Sequence, residues 1–148
     1  MRVEVRKKIQ VENRLCRDCE ACTLACSLVH EGMCNPLLSR VQVKKDMARY
    51  EFEVIICRQC EAPDCMAACP SDAIIIGASG AMVILDELCL ECGECADACP
   101  YGAIFYDKEN GKYLICDFCA GKFDGPACVQ ICPVDALTLQ FDTTSKDC

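Results

Sequence analysis

The stretch Cys89-Leu-Glu-Cys92-Gly-Glu-Cys95-Ala-Asp-Ala-Cys99-Pro100 decides the fold of this 148-residue chain. Its four cysteines are separated by two, two and three residues, and a proline follows the last of them. Two-residue gaps let a loop curl so that three thiolates point to one centre. The fourth cysteine begins a helical turn that points away, and Pro100 ends that turn. The spacing therefore predicts a cysteine loop that serves two neighbouring sites.

This spacing is typical of bacterial ferredoxins, in which three cysteines bind one iron–sulfur cubane and the fourth binds its neighbour. The chain contains four such motifs. In chain order they are motif one (Cys16, Cys19, Cys22, Cys26), motif two (Cys57, Cys60, Cys65, Cys69), motif three (Cys89, Cys92, Cys95, Cys99) and motif four (Cys116, Cys119, Cys128, Cys132). Motifs two and four have a longer middle gap, with a proline two residues before the third cysteine. Ser27 replaces the proline that follows the other motifs, so the helix of motif one is expected to continue through Leu28 and Val29.

Cysteine accounts for 18 of the 148 residues, a larger share than the roughly 8–10% that marks a cysteine scaffold. Tryptophan is absent, and much of the apolar composition is cysteine itself. The ordinary hydrophobic core is therefore expected to be modest. A group held by the cysteines must supply the centre of the fold.

Two other uses of the cysteines are weaker interpretations. A disulfide framework is typical of secreted domains, but the N-terminal residues Met1-Arg-Val-Glu-Val-Arg-Lys-Lys-Ile have no apolar segment of the signal-peptide type. Structural zinc prefers two Cys-x2-Cys pairs separated by a long spacer. Here three cysteines share one tight loop and a fourth follows, which overfills a tetrahedral zinc site.

The formal net charge of −8 excludes several kinds of partner. Phosphate backbones and anionic membrane surfaces are bound by lysine and arginine. No apolar run approaches the roughly 18 residues that a membrane-spanning helix needs. We therefore expect no nucleic acid and no membrane insertion, a protein partner, and a cytoplasmic location.

Short alternating or apolar runs between the motifs predict strands and hairpins. The predicted strands cover residues 2–7, 39–44, 50–56, 73–76, 81–85, 103–106, 112–115 and 136–141, and the polar end from Asp142 to Cys148 is expected to fray. Asn110-Gly111 marks one hairpin turn and Gly77-Ala-Ser-Gly80 another. The predicted fold class is α+β, with two interleaved bacterial-ferredoxin-like units of two [4Fe–4S] clusters each, built from short helices and β-hairpins.

An internal repeat predicts how the motifs are combined. Three motifs end in Cys-Pro-x-x-Ala followed by Ile or Leu, and compact and expanded motifs alternate along the chain. Motifs two and three are joined by one hairpin and should form an inner unit over residues 46–107. Motifs one and four should form an outer unit from residues 1–45 and 108–148, which wraps around the inner one.

The motifs between residue 16 and about residue 141 resemble those of four-cluster ferredoxin-like electron-transfer subunits. That family includes the iron–sulfur subunits of dimethyl sulfoxide reductase-type molybdoenzymes, formate hydrogenlyase and carbon monoxide dehydrogenase-linked hydrogenase. The resemblance implies four [4Fe–4S] clusters. It implies four ligand sets: site A (Cys16, Cys19, Cys22, Cys132), site B (Cys116, Cys119, Cys128, Cys26), site C (Cys57, Cys60, Cys65, Cys99) and site D (Cys89, Cys92, Cys95, Cys69).

The segment Cys26-Ser-Leu-Val-His-Glu-Gly, with Asn35-Pro36 and Ser39-Arg-Val after it, is also similar to the small partners of tungsten-dependent aldehyde oxidoreductases and tungsten benzoyl-CoA reductases. The resemblance implies a non-catalytic subunit that relays single electrons between a larger catalytic oxidoreductase subunit and another redox partner. That second partner could be a further subunit, a ferredoxin or another copy of the chain. A freely diffusing polyferredoxin and an iron or oxygen sensor are the alternatives.

Several side chains outside the ligand sets are candidates for lesser roles. His30, the only histidine, is expected to be structural, and Cys34 and Cys148 to be free thiols. Arg17, Arg58 and Lys122 lie in or beside the cysteine loops and either are solvated or raise the potentials of nearby clusters. The aromatic residues beside motifs three and four are expected to exclude water; they are Tyr101, Phe105, Tyr106 and Phe118. All-cysteine ligation and the acidic chain predict low reduction potentials.

Overall fold

The computed structural model describes residues 6–142, in which eight strands form four separate two-stranded antiparallel ladders. The strands are β1 (Arg6–Val11), β2 (Val41–Asp46), β3 (Glu51–Ile56), β4 (Ile74–Ile76), β5 (Met82–Ile84), β6 (Phe105–Asp107), β7 (Lys112–Leu114) and β8 (Leu137–Asp142). Three ladders are hairpins of consecutive strands. The fourth pairs β1 with β8, with Ile9 opposite Leu139, so the two ends of the described range lie side by side.

Four helices carry many of the motif cysteines. They are α1 (Ala21–Glu31), α2 (Asp64–Ala68), α3 (Glu94–Ala98) and α4 (Ala127–Ile131). The last three have five residues each and stop at the final cysteine of their motif, which is extended because a proline follows it. α1 has eleven residues and ends at Gly32, whose φ of 72° and N–H bond to the Leu28 carbonyl form a left-handed cap.

The predicted α+β class with short helices and antiparallel hairpins is confirmed by this arrangement. The helix of motif one does continue past Cys26, because Ser27 keeps the backbone N–H that proline would lack. The first strand is the main difference, since it runs over Arg6–Val11 rather than residues 2–7. Ile9 is buried there and pairs with β8. Residues 2–5 of that prediction and residues 143–148 of the predicted polar end lie outside the described residues.

The buried interior mixes hairpin side chains with cysteines. Val41, Leu114 and Leu137 are almost fully buried and come from three different ladders, and Ala81, just before β5, is buried with them. Eight of the described cysteines are buried as well: Cys22, Cys26, Cys57, Cys65, Cys95, Cys116, Cys119 and Cys128. Each motif therefore contributes at least one buried cysteine to the interior, where it packs with hairpin side chains.

Helix contacts follow the motif pairs that the repeat predicts. α1 of motif one packs against α4 of motif four, and α2 of motif two packs against α3 of motif three. The β1–β8 ladder joins the ends of the outer segments. The boundaries of the two units, at residues 46 and 107, remain a prediction.

Candidate iron–sulfur sites

The four cysteine loops share one backbone conformation. In each motif the residue just before the second cysteine is left-handed, with φ between 53° and 60°; these residues are Asp18, Gln59, Glu91 and Phe118. Such a turn directs successive backbone N–H groups into one concave space, which favours anionic groups. The sequence alone does not predict this turn, because Gln59, Glu91 and Phe118 are not of the residue types enriched at positive φ.

The four predicted ligands of site A surround one cavity. Cys16, Cys19, Cys22 and Cys132 line it, and apolar side chains including Val43 and Leu137 close it. Burial, together with the other three thiols, raises the pKa of Cys22 to about 12. Motif one and the last cysteine of motif four are therefore brought together, although Cys22 and Cys132 are 110 positions apart in the chain.

Site D has the same arrangement in the other half of the chain. Cys69, Cys89, Cys92 and Cys95 line a second cavity, together with Tyr113 from β7. Burial, with a contribution from the Cys89 thiol, raises the pKa of Cys95 to about 11. Cys69 behaves differently: although burial opposes it, hydrogen bonds from Ser71 and the Ala73 amide lower its pKa.

The members of site B also lie close together. Burial raises the pKa of Cys128, and the thiols of Cys26 and Cys119 add to that effect. Cys116 is buried, and the Cys128 thiol adds to the rise of its pKa. Cys26 comes from α1, whereas the other three come from motif four, so site B again joins motifs one and four.

Site C brings together cysteines from motifs two and three. Burial raises the pKa of Cys57 to about 11, with contributions from the Cys65 and Cys99 thiols. Cys60 follows in the same loop and is half-buried. Three of the four predicted ligands are thus mutual neighbours, and the fourth lies in the loop that carries Cys57.

Backbone amides donate hydrogen bonds to cysteine sulfurs in both motif pairs, one with four and two with three. Ala73 N–H donates to Cys69 Sγ at 3.3 Å, and Ala136 N–H donates to Cys132 Sγ at 3.3 Å, at matching positions of the Cys-Pro-x-x-Ala repeat. Arg40 N–H donates to Cys26 Sγ at 3.2 Å. Such bonds stabilise a thiolate and are one means by which a protein tunes an iron–sulfur potential.

Electrostatic interactions between thiols connect each site with the next. Cys22 of site A neighbours Cys128 of site B, and Cys65 of site C neighbours Cys95 of site D. Between the two pairs, the Cys57 thiol of site C interacts with that of Cys116 of site B. These interactions link site A to site B, B to C and C to D, and we call this order the row. One cysteine is exposed at each end of the row, Cys19 in site A and Cys92 in site D.

The Gln59 side chain spans the central junction. Its Nε2 donates to the Cys116 carbonyl at 2.6 Å, and its Oε1 accepts the Met82 N–H at 2.7 Å. Its own N–H donates to Cys57 Sγ at 3.4 Å. Sequence analysis missed this residue, because its partners lie 23 and 57 positions away and a lone glutamine has no signature.

His30 is buried between motifs one and four, which agrees with a structural role. Its Nδ1 lies 2.9 Å from the Cys26 carbonyl and its Nε2 lies 2.8 Å from Asp117 Oδ1. Burial acts against protonation, but the bonds to Asp117 and Cys26 raise the pKa of His30 to about 9. The Asp117 carboxylate, another residue that the sequence did not single out, has its pKa lowered by the same bond despite its burial.

The basic and aromatic candidates have varied surroundings. Arg17 is exposed and donates to the carbonyls of Arg14 and Cys16. Arg58 stacks over the Tyr101 ring at 4.3 Å. Phe118 is buried in site B's loop, as expected of a residue that excludes water, whereas Tyr106 is partly exposed and contacts Tyr113.

The arrangement of the cysteines bears on the two alternative uses that the sequence allows, disulfides and structural zinc. None of the seventeen cysteines in the described range forms a disulfide. Within residues 6–142, no group of three or more histidine, cysteine or acidic side chains is close enough to hold a single metal ion. Zinc draws its sulfur ligands to about 2.3 Å, whereas a cubane spreads four thiolates over four irons. In sites A and D four cysteines line one cavity each, which is the number of thiolates that a cubane takes.

The last predictions from the sequence concern Cys34, Cys148 and membrane-spanning helices. Cys34 is exposed and outside the four sites. Cys148 lies outside the described residues. Among the helices of the described range, none has the length and apolarity that crossing a bilayer requires.

Comparisons with known proteins decide the family. Residues 48–142 match the model of the 4Fe–4S dicluster domain. The chain belongs to the 4Fe–4S dicluster domain family. This confirms the resemblance that the motif spacing indicated, and the family together with sixteen motif cysteines fits four [4Fe–4S] clusters.

Two curated relatives of this dicluster protein are subunits of oxidoreductases. The polyferredoxin-like subunit of aliphatic sulfonate oxidoreductase from Pyrococcus furiosus is 36% identical over 79% of this chain and 66% of its own length. The thiosulfate reductase electron transfer subunit PhsB from Salmonella typhi is 30% identical over 85% of this chain and 71% of its own length. The chain thus spans about two thirds of the length of these relatives.

A solved structure shares the fold. A chain of the BamBC active-site complex of benzoyl coenzyme A reductase, bound to benzoyl-CoA, superposes with a TM-score of 0.59 and 26% sequence identity. The match covers 94% of this chain and 81% of that one. The whole arrangement of loops and hairpins, and not only the matched family domain, therefore has a known counterpart.

Proposed function

We propose that this dicluster-family protein is a non-catalytic electron-transfer subunit with four [4Fe–4S] clusters, held by the sixteen cysteines of sites A to D. The observation that carries the proposal is the row of four cysteine sets with one exposed cysteine at each end. A [4Fe–4S] cluster supplies one-electron redox chemistry. What the chain supplies is spacing, enclosure and hydrogen bonds to sulfur.

The chain's own residues support a relay rather than a catalyst. The buried hairpin side chains keep water from the cysteine loops, and amide donors at Cys26, Cys69 and Cys132 favour the thiolate form. Among the described residues, the one histidine is hydrogen-bonded at both ring nitrogens, so it is not placed to act as a general base. We propose the two-unit organisation, residues 46–107 inside and 1–45 with 108–148 outside, on the helix pairs described above.

The partner we propose is a larger catalytic oxidoreductase subunit in the cytoplasm, of the tungsten or molybdenum type. The relatives support the general statement, since both are named as subunits of oxidoreductases. The resemblance around His30 and the likeness to the benzoyl-CoA reductase complex support the tungsten type. A second redox subunit, a ferredoxin or further copies of the chain would complete the route.

Iron and sulfide analysis of ligand variants tests the sites. The anaerobically isolated protein should contain about sixteen iron and sixteen sulfide per chain. Cys19→Ser and Cys92→Ser, at the two exposed ends, should each lower the iron content or change one cluster's electron paramagnetic resonance signal. Cys34→Ser is the matched control, because Cys34 is also exposed but lies outside the motifs. Zinc without sulfide in the wild-type protein would overturn the proposal.

Purification from the native host separates a subunit from a freely diffusing polyferredoxin. A subunit co-purifies with a larger oxidoreductase chain at fixed stoichiometry through ion exchange and size exclusion. A protein that elutes alone at its monomer size, with all its clusters present, is a carrier and contradicts the subunit assignment.

A further inference from the structure

A groove that the relay proposal does not use separates the strands β1 and β3. β1 pairs with β8 and β3 pairs with β2, and in the described part of the chain neither strand pairs with a further one. The Cα atoms of β1 and β3 are almost everywhere more than 8 Å apart, whereas neighbouring strands of a sheet are about 4.8 Å apart. The groove has a volume of about 590 Å³ and is lined by residues 8–11, residues 53–56, Arg58, Pro100 and Tyr101.

The hydrogen bonds to β8 show which backbone groups of β1 point toward the groove. Glu12 N–H donates to the Ala136 carbonyl at 2.8 Å, and along an antiparallel ladder only alternate residues bond to the partner strand. Ile9 and Val11 occupy the positions in between. Their N–H and C=O groups therefore point away from β8.

β3 shows the same pattern from the other side of the groove. Val54 N–H donates to Asn13 Oδ1 at 2.9 Å, which directs it away from β2. Ile56 is two residues further along the strand, so its N–H and C=O groups also point away from β2. Four residues of a strand span about 13 Å. The groove therefore presents two rows of backbone donors and acceptors along the length of about four residues.

The side chains around the groove are mostly basic, although the chain as a whole is acidic. Lys8 and Arg58 line the groove, and Glu53 is the one carboxylate among its described lining residues. A second cavity, of about 330 Å³, continues along β1 and is lined by Arg6 and Lys7. Charge complementarity therefore favours an occupant with negative charge.

We propose that an extended, acidic segment of the larger oxidoreductase subunit binds in this groove as an added strand between β1 and β3. The inference rests on the proposed function, which supplies that partner. Strand addition gives affinity through main-chain hydrogen bonds, and here it joins two ladders into one sheet. Pro100, which lines the groove, directly follows Cys99 of site C. The docked segment therefore lies beside site C, in the middle of the row.

Residue-resolved hydrogen exchange tests the groove in the protein as it exists. The cluster-loaded protein alone is compared with the complex purified from the native host. In the complex, the amides of Ile9, Val11 and Ile56 should exchange roughly tenfold more slowly, because each gains a hydrogen-bond partner. The Gln10 amide, which faces β8, should change much less.

Val11→Pro removes one N–H that points toward the groove and leaves the bonds to β8 in place. The tagged variant, expressed in the native host, should retain roughly tenfold less of the partner chain at unchanged iron content. Val11→Ala is the matched control, since it shortens the side chain but keeps the N–H, and it should retain nearly as much partner as the wild type.

Lys8→Glu decides if Val11→Pro loses its iron. It should weaken retention of the acidic segment, whereas Lys44→Glu, with the same change in charge but on β2 and outside the groove, should not. Equal retention by Lys8→Glu and Lys44→Glu overturns the proposal.

The exchange rates also separate the other possible occupants. Amides of Ile9, Val11 and Ile56 that are already slow in the isolated monomer mean that the chain itself covers the groove. Slow amides in a dimer of the isolated protein mean that a second copy does so. Either result, or unchanged exchange of these amides in the complex, overturns the proposal. A chain that co-purifies with no larger oxidoreductase subunit contradicts the proposed function instead, so the two failures are distinguishable.

Discussion

Gly93 follows Cys92 directly, and both its backbone conformation and a neighbouring side chain oppose any larger residue at this position. Its φ is +82°, and a Cβ built there would lie 2.8 Å from Tyr113 Oη. Gly93→Ala should therefore lower the iron content of site D and the thermal midpoint, because both backbone strain and a steric contact oppose the new methyl group.

Gly80 is the matched control for that prediction. It has a φ of +79°, in the turn between β4 and β5, and no atom lies within 4 Å of its built Cβ. Gly80→Ala should lose only about 1–2 kcal/mol from backbone strain and keep its iron. Equal losses of iron in the two variants would show that the Tyr113 contact is irrelevant.

Gln59 is expected to fix the distance between sites B and C. Gln59→Ala removes its bonds to the Cys116 carbonyl and the Met82 amide, about 1 kcal/mol each. We expect a lower thermal midpoint together with weaker magnetic coupling between reduced clusters. Gln42→Ala is the control, since it also loses a side-chain bond to a carbonyl, that of Pro36 at 2.7 Å, but lies in β2. Gln42→Ala should lower the midpoint and leave the coupling unchanged; identical spectra for the two variants would contradict the role of Gln59.

At the scale of elements, the hairpin of β6 and β7 depends on one carboxylate. Asp107 is buried, and its oxygens accept from the backbone N–H groups of Glu109 and Asn110 and from Asn110 Nδ2 at 2.7 Å. Although burial opposes it, these bonds hold the Asp107 pKa below its usual value. Because the folded pKa is lowered, the carboxylate stabilises the fold fully at any pH above its pKa in the unfolded chain, about 3.9. This stabilisation is lost as the pH falls through the folded pKa.

The lowered pKa of Asp107 predicts how the effect of Asp107→Asn depends on pH. The substitution should lower the thermal midpoint by the same amount at pH 5 and pH 7, since both lie above the unfolded pKa of about 3.9. Differential scanning calorimetry on cluster-loaded protein measures the gap between variant and wild type. A gap that narrows clearly between pH 7 and pH 5 would mean that the carboxylate is already being protonated and that its pKa is not lowered.

How far the sequence predicts each element depends on whether its information is local. The hairpins around Gly80 and Gly111 and the helices that end before Pro70 and Pro100 follow from turn chemistry and proline, which act within a few residues. The bond between His30 and Asp117 joins positions 87 residues apart, and no spacing rule encodes it. The pairing of Cys22 with Cys132 was reached through the resemblance and the repeat, not from local pattern.

At the scale of the whole molecule, the charge is divided unevenly. Residues 59–107 contain nine acidic residues and no lysine or arginine, and the rest of the chain holds the other fourteen acidic residues with all fifteen basic ones. The nine are Glu61, Asp64, Asp72, Asp86, Glu87, Glu91, Glu94, Asp97 and Asp107. Residues 59–107, which contain most of site D and its exposed Cys92, therefore carry a formal charge of −9, and the rest of the chain carries +1.

This charge distribution should control how the protein meets redox partners. Glu87, Glu91 and Glu94 are exposed around Cys92, and a field of one sign speeds association with an oppositely charged partner at low salt. The triple change Glu87→Gln, Glu91→Gln and Glu94→Gln should slow electron exchange with a small basic redox protein by roughly tenfold at about 10 mM salt. The difference should nearly vanish at about 0.5 M salt, where the Debye length falls below roughly 5 Å.

The hairpin of β2 and β3 offers a control with the same change in charge. Asp46, Glu51 and Glu53 are three carboxylates in the basic part of the sequence, away from the 59–107 segment. Their conversion to the amides also raises the net charge by three, yet it should slow the exchange much less, because the field of a compact charged patch acts locally within a Debye length. Stopped-flow kinetics across a salt series measures both. If the two triple variants slow the reaction equally, net charge alone sets the rate, and electron exchange is not directed to the Cys92 end of the molecule.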